Sequence, residues 1–413
     1  MTRLYRDRRF ATYWTGQAVS ELGDRVSELA LPLIAITILG ASSIEVGVLT
    51  AAVWAPQLLS LLMGAWVDQQ QHKRRLLILS DVLQGLAVAS LPLVYWLGSV
   101  SLVQLVVVAL VAGVGRTIAQ TAYAPFFASL VSREQYVEAN SLLSTTRSGS
   151  FVAGPALAGA LIQLLGAPVA MVVDAVSFGI SAHLTGRVRV TERPPEDQPE
   201  TLLRRAAGGF GYLWRHPYMA ASLRCCTTLN FFSFVAAALV VLYANRTLGL
   251  SAGAIGLAFG VGALGALVGA VLASRISRTI GTGRTIAVGA VLFSAPYALI
   301  PLASGPDWAR AAVLSLVEAI SGFGIMLFDI NLNALQTAVV HDDLRSRVSG
   351  AFSTVNYGIR PLGALVGGIL GDVVGIGPTL VLAAAGGASS FLWLVGTPIL
   401  TTHTIEELQP LAP

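Results

Sequence analysis

The chain has 413 residues, of which 54% are hydrophobic and only 12% charged, and its mean hydropathy is +0.71. That composition excludes a water-soluble globule, and its many apolar runs near ~20 residues have the length of a bilayer span. The formal charge of +4 sits in short loops, where it sets membrane orientation and does not mark a nucleic-acid surface.

A basic arm (Arg3, Arg6, Arg8, Arg9) opens the chain and places the N-terminus in the cytoplasm. The apolar run behind it is too long for the core of a cleavable leader, so none is expected. Spans are predicted near residues 11–39, 44–66, 76–97, 101–124, 139–165 and 168–187, then near 219–245, 253–274, 284–303, 309–335, 347–371 and 376–399. Loops after even-numbered spans hold Lys73-Arg74-Arg75, Arg133, the arginines of 187–215, Arg275, Arg278 and Arg284, and Arg345 with Arg347. Loops after odd-numbered spans hold little beyond Glu45, Arg246, Asp307 and Arg310. Twelve spans with both termini inside satisfy this asymmetry, which predicts an all-α polytopic membrane protein.

The two halves repeat at a constant offset. Gly40 and Gly249, Gly47 and Gly256, and Arg75 and Arg284 are each 209 apart (249 − 40 = 209). The same offset links Gly113 and Gly115 to Gly322 and Gly324, Ser144-Thr145 to Ser353-Thr354, Gly149 to Gly358 and Gly154 to Gly363. Six spans is an even number, so both copies run the same way through the bilayer, as parallel six-helix bundles. The expected organisation is a first bundle over 1–187, a linker over 188–217, a second bundle over 218–400 and a cytoplasmic tail over 401–413. Within the linker, Leu202, Leu203, Ala206, Phe210, Leu213 and Trp214 oppose Arg204, Arg205 and Arg215, the pattern of an amphipathic helix on the inner membrane surface.

Charges inside spans are costly and mark function or pairing. The first span carries Glu21, Asp24, Arg25 and Glu28, with the three acids near one helix face. A carboxylate out of water holds its proton more readily, so these residues are candidates for proton carriage, with Arg116 of span 4 as their partner. A structural ion pair of Asp24 or Glu28 with Arg116 is the alternative. Arg147, Arg224 and Arg360 also lie in spans, with Asp174, Glu318 and Asp329 as possible counter-charges; Arg224 is placed to snorkel. Arg25, Tyr123, Arg147, Asn230, Phe231, Asn333, Asn356 and Arg360 are candidates to line an amphipathic cavity, packing and interhelix bonding being the plainer role for the aromatics and amides. Gly260-Val-Gly262-Ala-Leu-Gly265 has a dinucleotide-loop spacing but lies within an apolar span with no strand before it. The sole lysine, Lys73, follows His72, so no P-loop exists, and the histidines show no metal spacing. No cofactor is expected, and Cys225 and Cys226 read as unpaired core thiols.

The stretch Gly64–Arg75, GAWVDQQQHKRR, resembles the signature loop between the second and third helices of the major facilitator superfamily. Gly64, Asp68 and Lys73 match it, and Arg74 and Arg75 continue its basic end; Gln69, Gln71 and His72 depart from it. Residues 17–32 and 133–178 resemble the macrolide-efflux and enterobactin-exporter branch of that superfamily. Gly154, Pro155 and Gly159 resemble its span-5 antiporter motif, one glycine short, a pattern that tight helix packing alone would also explain. The resemblance assigns Arg116 to proton movement and implies rocking of two bundles about a central cavity. The expected protein is a monomeric proton-coupled exporter of amphipathic small molecules in a bacterial inner membrane, with protons, cargo and lipid as its partners. A nutrient symporter or uniporter, and a non-transporting receptor or lipid-flipping protein, are the rivals on the same fold.

Overall fold

The computed structural model describes residues 4–192, 210–341, 344–405 and 408, and every regular element among them is helical. The first six expected spans fall on α1 (Arg8–Thr37), α2 (Ser43–Trp54) with α3 (Ser60–Gln69), α4 (Lys73–Trp96), α5 (Leu102–Leu130), α6 (Tyr136–Leu165) and α7 (Ala167–Arg187). The last six fall on α8 (Pro217–Arg246), α9 (Ala252–Ile280), α10 (Thr282–Ser294), α11 (Asp307–Val339), α12 (Arg345–Val373) and α13 (Ile376–Ala388). A four-residue helix, α14 (Pro398–Thr401), follows.

Among the described residues nine helices are long and apolar enough to cross a membrane, and α2 with α3 adds a tenth as one bent span. The other two expected runs are α1 and α12, long enough at 30 and 29 residues but interrupted by charge. This is a multi-pass membrane protein. Three spans expected to be continuous α-helix change pitch instead. A 3-10 turn at Ala55–Leu59 divides α2 from α3, because Pro56 lacks the N–H that an α-turn needs. Pro296 and Pro301 do the same where α10 passes into the 3-10 segment Ala295–Leu302. The third change follows Gly386 and Gly387, where Phe232 and Ser294 press on the backbone and α13 passes into a 3-10 turn at Ser389–Leu394.

The 209-residue offset governs helix starts. Arg8 and Pro217, Ser43 and Ala252, Lys73 and Thr282, Tyr136 and Arg345, and Ala167 and Ile376 open equivalent helices (217 − 8 = 209). Turns repeat in the same register: Gly40 and Gly249 both sit at φ 65°, which only glycine adopts without strain. Ala41 N–H donates to Ala35 O and Leu250 N–H to Ala244 O, both at 2.9 Å. Packing repeats as well. In the first unit α1 packs on α7 and α6 while α4 packs on α7 and α5; in the second, α8 packs on α13 and α12 while α10 packs on α11 and α13.

Two compact units result: residues 1–41, 52–198 and 251–256 form one, and 42–51, 199–250 and 257–413 the other. The first has a core of Phe10, Tyr13, Phe126 and Leu105; the second is built around Leu213, Met219, Phe328 and Leu335. Most of the expected linker helix, Leu202 to Ala206 included, lies outside the described residues. At its described end Leu213 is fully buried and Trp214 is 66% exposed, with the Arg224 guanidinium over the Trp214 ring.

Candidate functional site

Polar residues of α1 lie on a helix whose C-terminal part, Leu29 to Ile36, is wholly apolar and buried except at Pro32. Beyond Arg8 and Arg9 in its first turn, the charge of α1 is confined to the stretch from Glu21 to Glu28. Three arginines meet it. Arg116 of α5 reaches two carboxylates, with Nη2 3.9 Å from Asp24 and Nη1 3.7 Å from Glu28. Arg25 donates from Nη1 to Glu28 at 2.7 Å. Arg147 of α6 pairs with Glu21 through Nε at 3.0 Å. The acid stripe is therefore divided: Asp24 and Glu28 share one guanidinium, and Glu21 takes another. Asp174, weighed as a counter-charge for an in-span arginine, is not the partner of Arg147; it bonds to Ser27 and Ser177.

Aromatic faces complete the cluster. Arg25 lies over the Phe151 ring at 5.4 Å and Arg147 over Tyr123 at 5.5 Å, so both cations keep an electron-rich surface beside their carboxylate. Gly154 makes the arrangement fit. A Cβ there would lie 2.4 Å from Arg25 Cγ, so only glycine lets the Arg25 stem lie along α6. Pro155 and Gly159 serve a different contact, a backbone crossing with the start of α9. A Cβ on Gly256 would meet Pro155 O at 2.4 Å and Gly159 Cα at 2.7 Å. The Gly-Pro motif thus seats a site arginine at one residue and a helix crossing at the others.

In the second unit, Arg360 of α12 donates from Nε to Asn230 Oδ1 at 2.9 Å, and Asn230 donates to Asn356 Oδ1 at 2.8 Å. Arg360 also lies over Tyr357 at 4.3 Å and Phe234 at 5.0 Å, within electrostatic reach of Asp329. Phe231 packs edge-on against Phe232 with ring centroids 5.2 Å apart, and its carbonyl faces Gly363. Asn333 is not drawn into this cluster; its backbone carbonyl accepts from Thr337. The candidate cavity residues therefore fall into two groups, Arg25, Tyr123 and Arg147 in one unit and Asn230, Asn356 and Arg360 in the other.

The α3–α4 loop closes on Lys73, whose ammonium donates to the carbonyls of Val67, Asp68 and Gln70. It thereby satisfies the carbonyls that the end of α3 leaves open. The Asp68 carboxylate lies within electrostatic reach of the same ammonium. Arg74 ties the loop to the end of α7 by donating to Val188 O at 2.6 Å, and Arg75 is exposed. Gly64 leaves open space beside Thr121 of α5.

Sequence reasoning missed three features. Glu192 accepts from the N–H groups of Lys73 and Arg74, capping α4. Asp372 accepts from Ser43 N–H at 2.9 Å and Ile44 N–H at 3.1 Å, capping α2, while Gln163 accepts from Gly253 N–H at 3.4 Å at the start of α9. The caps obey the repeat (372 − 163 = 209 and 253 − 44 = 209), so the offset itself could have found them. The third is a polar stripe on α7, Asp174, Ser177 and Ser181, at the spacing of one helix face.

An all-helical, twice-repeated membrane fold with paired ionised residues in its spans defines a transport protein, not an enzyme. The Major Facilitator Superfamily model matches residues 13–364, and the chain belongs to that superfamily. It is 26% identical over 385 residues to the multidrug efflux pump Tap of Mycobacterium bovis, covering 88% of this chain and 87% of that one. It is 24% identical over 381 residues to the enterobactin exporter EntS of Shigella flexneri, covering 90% and 86%. Among solved structures, a nucleoside transporter, NupG, superposes with a TM-score of 0.77 at 11% identity, over 94% of this chain and 100% of that one. A bacterial homologue of the iron transporter ferroportin in its inward-facing state gives 0.73 at 18% identity, over 94% and 99%. At those identities the structural likeness is one of fold.

Proposed function

We propose that this protein is a proton-coupled exporter of amphipathic small molecules, working by alternating access in a bacterial inner membrane with both termini in the cytoplasm. The observation that carries this reading is Arg116 shared between Asp24 and Glu28. Arg116 is shared between two carboxylates, and the direct hydrogen bond of Arg25 goes to Glu28, so Asp24 is the more weakly held acid and the place for an exchangeable proton. Protonation there loosens the hold of Arg116, and release restores a negative site suited to a cationic or zwitterionic cargo. A proton crossing the membrane yields about 2.3 kcal/mol per 100 mV, enough to drive cargo uphill. The direction is supported by relatives named as a multidrug efflux pump and an enterobactin exporter, and by the resemblance of Gly154, Pro155 and Gly159 to an antiporter motif.

The test uses purified protein in liposomes with an imposed pH gradient and ethidium as an amphipathic cationic probe. Gradient-driven ethidium movement that a protonophore abolishes is the expected result. Asp24→Asn should stop driven movement, and ethidium exchange without a gradient should be weakened but still measurable. Movement indifferent to the pH gradient in the parent protein would refute the proton-coupled reading.

A further inference from the structure

Among the described residues, two buried acids in the interior of the first unit have no arginine paired to them. Asp174 of α7 is wholly buried; Ser27 donates to it from α1 and Ser177 from its own helix at 3.2 Å. Asp81 of α4 is 7% exposed and accepts from Ser181 of α7 at 2.7 Å. Asp24 lies within electrostatic reach of both, and Arg116 within reach of Asp174. Tyr13 lies within electrostatic reach of Asp81, Glu21 and Arg147. Across this interior five carboxylates, Glu21, Asp24, Glu28, Asp81 and Asp174, meet three guanidiniums, those of Arg25, Arg116 and Arg147. The surplus falls on the pair that only hydroxyls contact.

Position makes the pair a path. Asp174, Ser177, Ser181 and Thr185 follow one face of α7 towards its basic end at Arg187, a run of about 16 Å at 1.5 Å per residue. Gly23 of α1 lets the helices close on this face: a Cβ there would strike Ser177 Oγ at 2.1 Å and Asp174 Oδ1 at 2.5 Å. Near the basic end two buried hydroxyls, Thr185 Oγ1 and Tyr13 Oη, have no hydrogen-bond partner among the described residues. Orphaned buried hydroxyls at the end of a line of acids and serines are places for ordered water.

We propose that Asp174 and Asp81 hold the transported proton and pass it between Asp24 and the basic end of the first unit, through the α1–α4–α7 interior. This rests on the proton-coupled reading above. At rest both carboxyls carry a proton. Asp81 first releases its proton past Tyr13 and Thr185 to water at the basic end. The Ser181 hydroxyl then gives its proton to the ionised Asp81 and accepts one from Asp174 through water, so the serine is unchanged. A proton arriving on Asp24 refills the Asp174 carboxylate and leaves Asp24 ionised beside Arg116. The net step is one proton moved, with both carboxyls protonated again.

The test combines infrared spectroscopy with flux, using the full chain in liposomes. Protonated carboxyl bands that vanish on alkalinisation should be present in the parent protein, with one missing in Asp174→Asn and another in Asp81→Asn. Ser181→Ala removes one hydroxyl, so it reports on the path even if an aspartate variant fails to fold. It should slow gradient-driven ethidium movement and the matching proton flux roughly tenfold, with gradient-free ethidium exchange unchanged. Absence of both bands overturns the proposal, as does driven movement at the parent rate in both Ser181→Ala and Asp81→Asn. If Asp24→Asn alone abolishes driven movement, the relay fails and the coupled reading stands. If the parent protein shows no driven movement, both fail.

Discussion

Arg116 and Arg147 look alike in the sequence, one in-span arginine each, but their surroundings set them apart. Arg116 has a side chain 28% exposed and bridges two carboxylates; Arg147 is 57% exposed and holds one. Arg116→Gln should therefore stop gradient-driven ethidium movement in liposomes, whereas Arg147→Gln should reduce it only partly. Equal loss in both would mean that Glu21 is as central as Asp24. Gly154 gives a second contrast. Gly154→Ala forces a methyl against Arg25 Cγ and should cost about 1–3 kcal/mol of stability, the range for overpacking. Gly149→Ala, with nothing within 4 Å, should leave the unfolding temperature unchanged or slightly raised. Thermal unfolding in detergent measures both.

At the level of whole helices, the caps of α2 and α9 are equivalent in place and unequal in chemistry. Asp372 offers a carboxylate to two N–H groups at the positive end of a helix, and Gln163 a neutral amide to one. Asp372→Ala should destabilise by about 1 kcal/mol, Gln163→Ala by less, and Asp372→Gln should fall between them. An unfolding series that ranks Gln163→Ala as the worst would contradict this assignment. The crossings beside these caps repeat too. A Cβ on Gly47 would meet Gly368 Cα at 2.9 Å, as one on Gly256 meets Gly159 Cα at 2.7 Å (368 − 159 = 209). Close backbone approach at such points supplies dispersion contacts where lipid removes the hydrophobic drive between helices. Helix extents were legible beforehand because a bilayer demands long apolar runs. The pitch changes at Pro56, Pro296 and Pro301 were not, since a proline inside a span bends it only as its neighbours allow.

For the molecule as a whole, the duplication fixes the orientation of each half, and cysteine chemistry can read it. Cys225 and Cys226 are buried at 0% and 3%, so a membrane-impermeant thiol reagent should leave the parent protein unlabelled. Arg75→Cys and Arg284→Cys, equivalent and both exposed, should label only in inverted vesicles. Ser99→Cys and Ser251→Cys, on loops after odd-numbered spans, should label only in intact cells. Opposite labelling of Arg75→Cys and Arg284→Cys would establish inverted repeats in place of parallel ones.

The sequence by itself determined the class of the protein, the approximate placement of its helices, its duplication and the identity of its costly charges. Each of these follows from local rules: apolar length, loop charge and a fixed spacing along the chain. Which charge meets which was decided only in three dimensions. Glu21, Asp24 and Glu28 share a helix face, yet they part between Arg147 and Arg116 because α6 and α5 approach α1 at different heights. Asp81 and Asp174 stand 93 residues apart (174 − 81 = 93), and no periodicity links them. The α7 serines and the α1 glycines bring them into one interior, and pairing across helices depends on packing that spacing along a single helix does not encode.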